Sequence, residues 1–149
     1  MGAHKQVVGA RVLRNFLLFK TDLFLHQQED EDLNNCRLGG DCAGWFYVRL
    51  LLGNHIKPYF SPGMEDWGWQ ISVVVNSFRI DINVWDYCID HCWIFGVEMQ
   101  KSFWANSDAA WQARSYLCDR LEKIVADDLR FTKYQWFEAN PFGLTIKDF

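Results

Sequence analysis

The hydrophobic pattern of residues 70–85 has the two-residue period of β-strands, and it limits the possible folds more than any other segment does. In residues 70–75, QISVVV, and in residues 78–85, FRIDINVW, β-branched and other apolar residues recur at alternate positions. Only Asn76 and Ser77 separate the two runs, and a two-residue polar connection is typical of a β-hairpin. The sequence therefore predicts two antiparallel strands here.

Three other segments have the three-to-four-residue apolar spacing of an amphipathic helix. They are residues 7–25, 42–52 and 108–126. We expect Ser107 or Asp108 to cap the last of these helices, because either side chain can accept a hydrogen bond from the first helical turn.

The remaining segments complete an α+β architecture. Residues 92–99 and 130–138 are predicted to be strands, whereas residues 53–68, with three glycines and two prolines, are predicted to be a long loop. The element order α-α-β-β-β-α-β describes helices packed on a mainly antiparallel four-stranded sheet. The helix before the last strand allows that strand to run parallel to a neighbour. The length of 149 residues predicts one globular domain, residues 1–149.

Charge and motif content narrow the classes of function. Fifteen basic and nineteen acidic residues give a net charge of −4, which argues against direct nucleic-acid binding, because that requires a basic face. No apolar run reaches the roughly 20 residues of a membrane span. The five cysteines, an odd number, favour free thiols in a reducing compartment, and we expect a cytoplasmic protein. A Gly-rich phosphate loop, G-x-S-x-G and H-E-x-x-H are all missing, so we expect no cofactor.

Residues 86–93, DYCIDHCW, are a first candidate site. Cys88, His91 and Cys92 are possible zinc ligands, but the Cys-x3-Cys spacing supplies only half of a usual structural site. A redox pair normally has Cys-x2-Cys spacing. The interpretation we favour is the end of a β-hairpin that contains two thiols and a solvated Asp90-His91 turn.

A second candidate site combines Asp81 on the second predicted strand with Glu98 and Gln100 at the end of the third. These positions, and the element order αβββαβ from residue 42 onward, resemble the PD-(D/E)xK nucleases. The resemblance implies that the two acids bind a metal ion and that a lysine helps to activate water. Here Gln100 occupies the lysine position, and the Pro-Asp that precedes it in that family is absent. Polar residues on the solvated side of a sheet are the interpretation we favour.

The third candidate site is an aromatic and acidic segment before the first strand of the hairpin. Tryptophan is common at binding hot spots, and acidic neighbours would attract a basic partner. The residues of this candidate binding surface are Tyr59, Phe60, Glu65, Asp66, Trp67 and Trp69. Core packing is the alternative for the two tryptophans.

The sequence as a whole favours a non-enzymatic protein-binding module rather than an enzyme. We expect a small acidic inhibitor or immunity-type protein that occludes a basic site on another protein. The alternatives are a metal-dependent enzyme with a degenerate PD-(D/E)xK-like site and a zinc-binding protein.

Overall fold

A six-stranded antiparallel sheet organises the computed structural model, which describes residues 13–24, 39–87, 90–100 and 107–142. Within these residues the strands are β1 (Phe16–Thr21), β2 (Ile56–Glu65), β3 (Gly68–Val75), β4 (Phe78–Asp86), β5 (Cys92–Met99) and β6 (Phe131–Phe137); the helices are α1 (Gly40–Leu51) and α2 (Asp108–Ala126). The strand order in the sheet is β2-β3-β4-β5-β1-β6. The predicted α+β class is confirmed, whereas the predicted four strands and their order are corrected.

The first correction concerns residues 16–21, which form a central strand and not part of a helix over 7–25. β1 lies between β5 and β6 and pairs with both. Leu17, Leu18 and Phe19 are all buried, because both sides of this strand are covered. Such a continuous apolar run has no two-residue period, so its pattern could not be distinguished from that of a buried helix. Residues 7–12 and 25 lie outside the described residues.

The second correction concerns residues 53–68, most of which form an edge strand and not a loop. β2 pairs with β3, and its register shifts between Pro58 and Phe60 and again between Phe60 and Gly63. Proline is tolerated at a sheet edge, because its missing N–H can face solvent. The proline and glycine content that predicted a loop therefore marks an irregular edge strand.

The other predicted elements are confirmed. β3 and β4 form the hairpin around Asn76 and Ser77, both with positive φ, and Ser107 caps α2 by accepting a hydrogen bond from the amide of Ala110. The suggestion of a parallel last strand is wrong, because β6 pairs antiparallel with β1. β6 can pair at this edge of the sheet because residues 16–21 form a strand and not the predicted helix.

The two faces of the sheet differ in what covers them. On the helix face, residues such as Ile80, Ile82 and Phe95 form one core with Phe46 of α1 and Leu117 of α2. The alternate residues of the same strands lie on the other side, which we call the second face. It contains a small apolar cluster around Leu18, Tyr87, Cys92 and Ile94, and beside it a group of polar residues from β3, β4 and β5. Among the described residues, no helix is long and apolar enough to span a membrane.

Candidate functional site

The polar group on the second face is centred on Asp81, whose side chain is buried. Asp81 lies directly opposite Glu98 on β5 and opposite Ser72 on β3. The Nε of Arg79 lies 3.1 Å from Asp81 Oδ1, and Nε2 of Gln100 donates to Asp81 Oδ2. The structure thus brings Asp81, Glu98 and Gln100 together, as the sequence predicted. Both carboxylate oxygens of Asp81, however, already accept hydrogen bonds from protein groups.

The nuclease resemblance does not extend to the topology. Because β2 is a strand, the order from residue 42 onward is α-β-β-β-β-α-β and not αβββαβ. No cluster of three or more His, Cys, Asp or Glu side chains that could hold a metal ion is found within residues 13–24, 39–87, 90–100 and 107–142. Metal binding by Asp81 and Glu98 therefore stays a prediction.

Residues 87–91 connect β4 and β5, and the two candidate zinc ligands that the structure describes here, His91 and Cys92, lie in different environments. His91 is exposed in the turn, where its Nδ1 lies 3.3 Å from Asp22 Oδ1. Cys92 is buried on the second face, and its Sγ lies 3.6 Å from the carbonyl oxygen of Asp90. Burial, assisted by the charge of Asp90, raises the pKa of the Cys92 thiol to about 11. Since zinc is bound by the thiolate, this environment does not favour metal binding. Cys88 lies outside the described residues, so the zinc site stays a prediction.

The β2–β3 hairpin exposes several large apolar side chains. The exposed fractions are 45% for Tyr59, 60% for Phe60, 55% for Met64 and 43% for Trp67. The Tyr59 and Phe60 rings meet edge to face, with centroids 4.5 Å apart. The guanidinium of Arg79 lies 4.3 Å from the centroid of the Tyr59 ring, so these aromatic residues adjoin the Asp81 group.

The acidic residues and the tryptophans of the candidate surface separate at the end of the hairpin. Glu65 and Asp66 are exposed there, next to Trp67. Trp69, in contrast, is half-buried and packs against the core on the helix face. Its ring fits against Gly40 so closely that an added Cβ would lie 2.7 Å from Cζ2 of Trp69. The structure therefore brings all of the predicted surface residues except Trp69 to the exposed side of the hairpin.

A row of aromatic rings continues from the hairpin across the second face. Trp67 lies 5.5 Å from Trp85, and Trp85 lies 6.0 Å from Phe142, which stacks on Tyr87 at 5.3 Å. Trp85 is also 6.5 Å from Phe16 of β1. The alternation of β4 placed Trp85 on the same side as Asp81, but no sequence signal indicated its contacts with residues so distant in the chain.

A groove of about 400 Å³ lies beside this aromatic row. We call it the Trp85 groove, and its lining includes Phe16, Asn83, Trp85, Gly96, Glu98 and Asn140. Four elements contribute to it: β1, β4, β5 and the segment after β6. It is thus a product of the tertiary structure, and it was not predicted.

Comparison of the chain with protein-family models, with curated proteins and with solved structures gives no match.

Proposed function

We propose that this protein is a non-enzymatic protein-binding module whose partner is a basic protein. The binding surface is the exposed side of the β2–β3 hairpin, formed by Tyr59, Phe60, Glu65, Asp66 and Trp67. In this proposal the protein acts as a small acidic inhibitor or immunity-type protein that covers a basic site of its partner. The observation on which the proposal rests is the concentration of exposed large apolar side chains on this one hairpin.

Exposed aromatic residues in such a cluster are costly in water and typical of interaction sites. Single exposed apolar residues are normal, but contiguous apolar patches with a polar rim mark binding surfaces. Tyrosine and tryptophan bury a large area with little loss of rotamer entropy, which makes them frequent hot spots. Tyr59 is further held in place by the guanidinium of Arg79, so part of the surface is ordered before binding.

The charges at the end of the hairpin support a basic partner. Glu65 is exposed, and it makes no ion pair with any described residue. The net charge of −4 adds a weak attraction at long range. Complementary charge mainly increases the rate of association and the specificity of binding, whereas the aromatic residues supply most of the affinity. We also propose a cytoplasmic location, which fits the free, buried thiols of Cys42, Cys92 and Cys118.

The second candidate function is a metal-dependent enzyme, and one observation favours it. Asp81 and Glu98 face each other across β4 and β5, with Gln100 beside them. The binding module is the better proposal, because Arg79 and Gln100 already satisfy the Asp81 carboxylate, and a metal ion would have to displace them.

The test is affinity capture followed by measurement with purified proteins. We expect the wild-type chain to retain a basic protein that a Phe60→Ala/Trp67→Ala variant loses and a Glu65→Gln variant retains more weakly. Leu129→Ala is the matched control, because Leu129 is 94% exposed but does not belong to the hairpin. Titration of the purified pair should give binding that weakens with salt. The proposal fails if the hairpin variants and the control retain the same proteins.

The enzyme alternative is tested on the same preparations. Nucleic-acid cleavage that requires Mg²⁺ or Mn²⁺ and is lost in Glu98→Gln would favour it. Glu98 is the better position for this test than Asp81, because its exposed side chain can be changed with little effect on folding.

A further inference from the structure

Aromatic rings form the floor of the Trp85 groove because one residue of β5 has no side chain. Gly96 lies on β5 between the rings of Trp85 and Phe16. A Cβ at this position would lie 2.9 Å from Cζ3 of Trp85 and 3.2 Å from Cε1 of Phe16. The absence of a side chain therefore lets both rings approach the strand. The Trp67–Trp85 contact makes this floor continuous with the proposed binding surface.

The groove carries a negative charge. Among the described residues that line it, Glu98 is the one with a charged side chain. Its contact with the amide of Asn83, whose Nδ2 lies 3.5 Å from Glu98 Oε2, is long and weak. In the part of the chain that the structure describes, no cation pairs with Glu98. Asp81, its neighbour on β4, differs in having both Arg79 and Gln100 as partners.

The rim of the groove is held in place by hydrogen bonds within the protein. Asn83 Oδ1 accepts from Nε2 of Gln70 at 3.0 Å, and Asn140 Oδ1 accepts from the amide of Phe142 at 2.9 Å. These contacts fix the positions of the two amide side chains. The groove is thus a preformed site with an aromatic floor, amide groups at the rim and one carboxylate that no described cation neutralises.

We infer that the Trp85 groove binds the guanidinium group of an arginine side chain from the basic partner. A guanidinium is planar, so it can stack on a tryptophan ring and at the same time donate two hydrogen bonds to one carboxylate. Trp85 and Glu98 are the two groups that this geometry requires. The same protein already contains such a stack, since the guanidinium of Arg49 lies 3.5 Å from the centroid of the Trp45 ring. That the arginine belongs to a protein partner rests on the proposed function; the preference of the groove for a guanidinium does not.

The experiment that tests this inference uses N-acetyl-arginine amide as the probe. The indole N–H resonance of Trp85, assigned by comparison with Trp85→Phe, is followed in ¹H–¹⁵N spectra of the full chain. We expect a saturable shift in the millimolar range. N-acetyl-citrulline amide has the same shape without the charge, and we expect it to bind about fivefold more weakly or worse.

Two variants locate the probe. Glu98→Gln should weaken binding of the arginine probe by about fivefold, because the charged hydrogen bonds are lost. Asp127→Asn changes an exposed acid at the end of α2, outside both the groove and the proposed binding surface, and should leave probe binding unchanged. The inference is overturned if the arginine probe does not shift Trp85, if citrulline binds equally well, or if Glu98→Gln has no effect.

These results separate failure of the inference from failure of the proposed function. If the probe binds as expected while no basic protein is retained in the capture experiment, guanidinium binding by the groove is supported and the proposed function is contradicted. If a basic partner is retained and depends on Phe60 and Trp67, while the probe fails to bind, only the groove inference is wrong.

Discussion

Arg79 and Asp81 lie two residues apart on β4 and form an ion pair on the second face of the sheet, with Arg79 Nε 3.1 Å from Asp81 Oδ1. Asp81 is 1% exposed, and its other oxygen accepts from Gln100. Arg79 extends outward and stacks over Tyr59. A buried carboxylate thus holds a cation that in turn orients an exposed aromatic residue. This pair gives Asp81 a structural role that requires no metal.

Replacement of Asp81 by asparagine should destabilise the protein. Asp81→Asn would keep the size of the side chain but remove the charge that compensates Arg79, and it would turn one acceptor into a donor. We expect the free energy of unfolding to fall by about 2 kcal/mol, since Arg79 is only partly buried. Urea unfolding measures this. Glu98→Gln is the control, with an expected change below about 0.5 kcal/mol because Glu98 is exposed. Equal losses in both variants would contradict the structural role.

Two glycines of α1 should respond to alanine in opposite directions. At Gly40 a Cβ would lie 2.7 Å from the Trp69 ring. Gly40→Ala should therefore lower the free energy of unfolding by about 1–3 kcal/mol through overpacking. At Gly44 no atom lies within 4 Å of an added Cβ, so Gly44→Ala should stabilise the helix by about 1 kcal/mol. Thermal or urea unfolding of the two variants decides this. If both changes are stabilising, Trp69 does not pack against the start of α1 as described.

The parts of the fold that the sequence predicted correctly are those with a clear local period. Residues 78–85 lie within β4 and residues 108–126 coincide with α2, because alternation in one and three-to-four-residue spacing in the other are visible without any other part of the chain. β1 was missed because Leu17, Leu18 and Phe19 are buried on both faces, and burial on both faces removes the period.

The candidate surfaces show the same limit. The hairpin residues Tyr59 and Trp67 stood out as unusual in the sequence. Nothing in the sequence indicated, however, that Trp67 is exposed whereas Trp69 packs against the core. In the structure Trp67 lies in a turn and Trp69 in a strand directed towards the core. The residues that line the Trp85 groove are as far apart in the sequence as positions 15 and 140. No local sequence pattern predicts contacts between residues so far apart.

The buried guanidinium of Arg114 should be essential for stability. Its Nη2 donates to the carbonyl oxygens of Arg14 and Val97, at 2.8 and 3.2 Å, and to Asn15 Oδ1 at 2.8 Å. Burial lowers the pKa of Arg114, yet arginine stays charged at any ordinary pH. Arg114→Met would remove this donor from all three acceptors, and we expect the free energy of unfolding in urea to fall by about 3 kcal/mol.

The control for that variant lies on the same helix. The buried Nε of Arg120 has no hydrogen-bond partner among the described residues, and its Nη2 makes one long hydrogen bond, of 3.5 Å, to the carbonyl oxygen of Arg49. Arg120→Met therefore removes an unsatisfied donor and one weak bond. We expect its stability to stay within about 0.5 kcal/mol of the wild type. A loss as large as that of Arg114→Met would show that length and packing, and not hydrogen bonding, explain the role of both arginines.

The buried thiols should be protected from alkylation in the folded protein. Burial raises the pKa of Cys42 and Cys118 as well as that of Cys92, so few thiolates are present and reagents cannot reach them. We expect peptides containing these three cysteines to remain unmodified by iodoacetamide at pH 8 until denaturant is added. Mass spectrometry measures this. Rapid native modification of Cys92 would contradict its burial, and zinc in elemental analysis would support the zinc-site interpretation.

Asp128 should contribute stability that is lost in acid. Arg130 donates to Asp128 from its side chain, at 2.6 and 2.9 Å, and from its amide, and these bonds lower the pKa of Asp128 to about 2. An unfolded aspartate has a pKa near 4, as a typical reference value. Because the folded pKa is the lower one, the stabilisation is complete above pH 4 and disappears as the pH falls towards 2.

The variant Asp128→Asn isolates this effect. The ion pair is close to solvent. We therefore expect the free energy of unfolding of the wild type to exceed that of Asp128→Asn by no more than about 1 kcal/mol at pH 7. The difference should shrink between pH 4 and pH 2, as measured by urea unfolding at each pH. Asp127→Asn is the control, since Asp127 forms an exposed pair with Lys123 one helical turn away, and it should cost less than about 0.5 kcal/mol at pH 7. A wild-type advantage over Asp128→Asn that is the same at pH 2 and pH 7 would mean that the Asp128 carboxylate is not the source of the stabilisation.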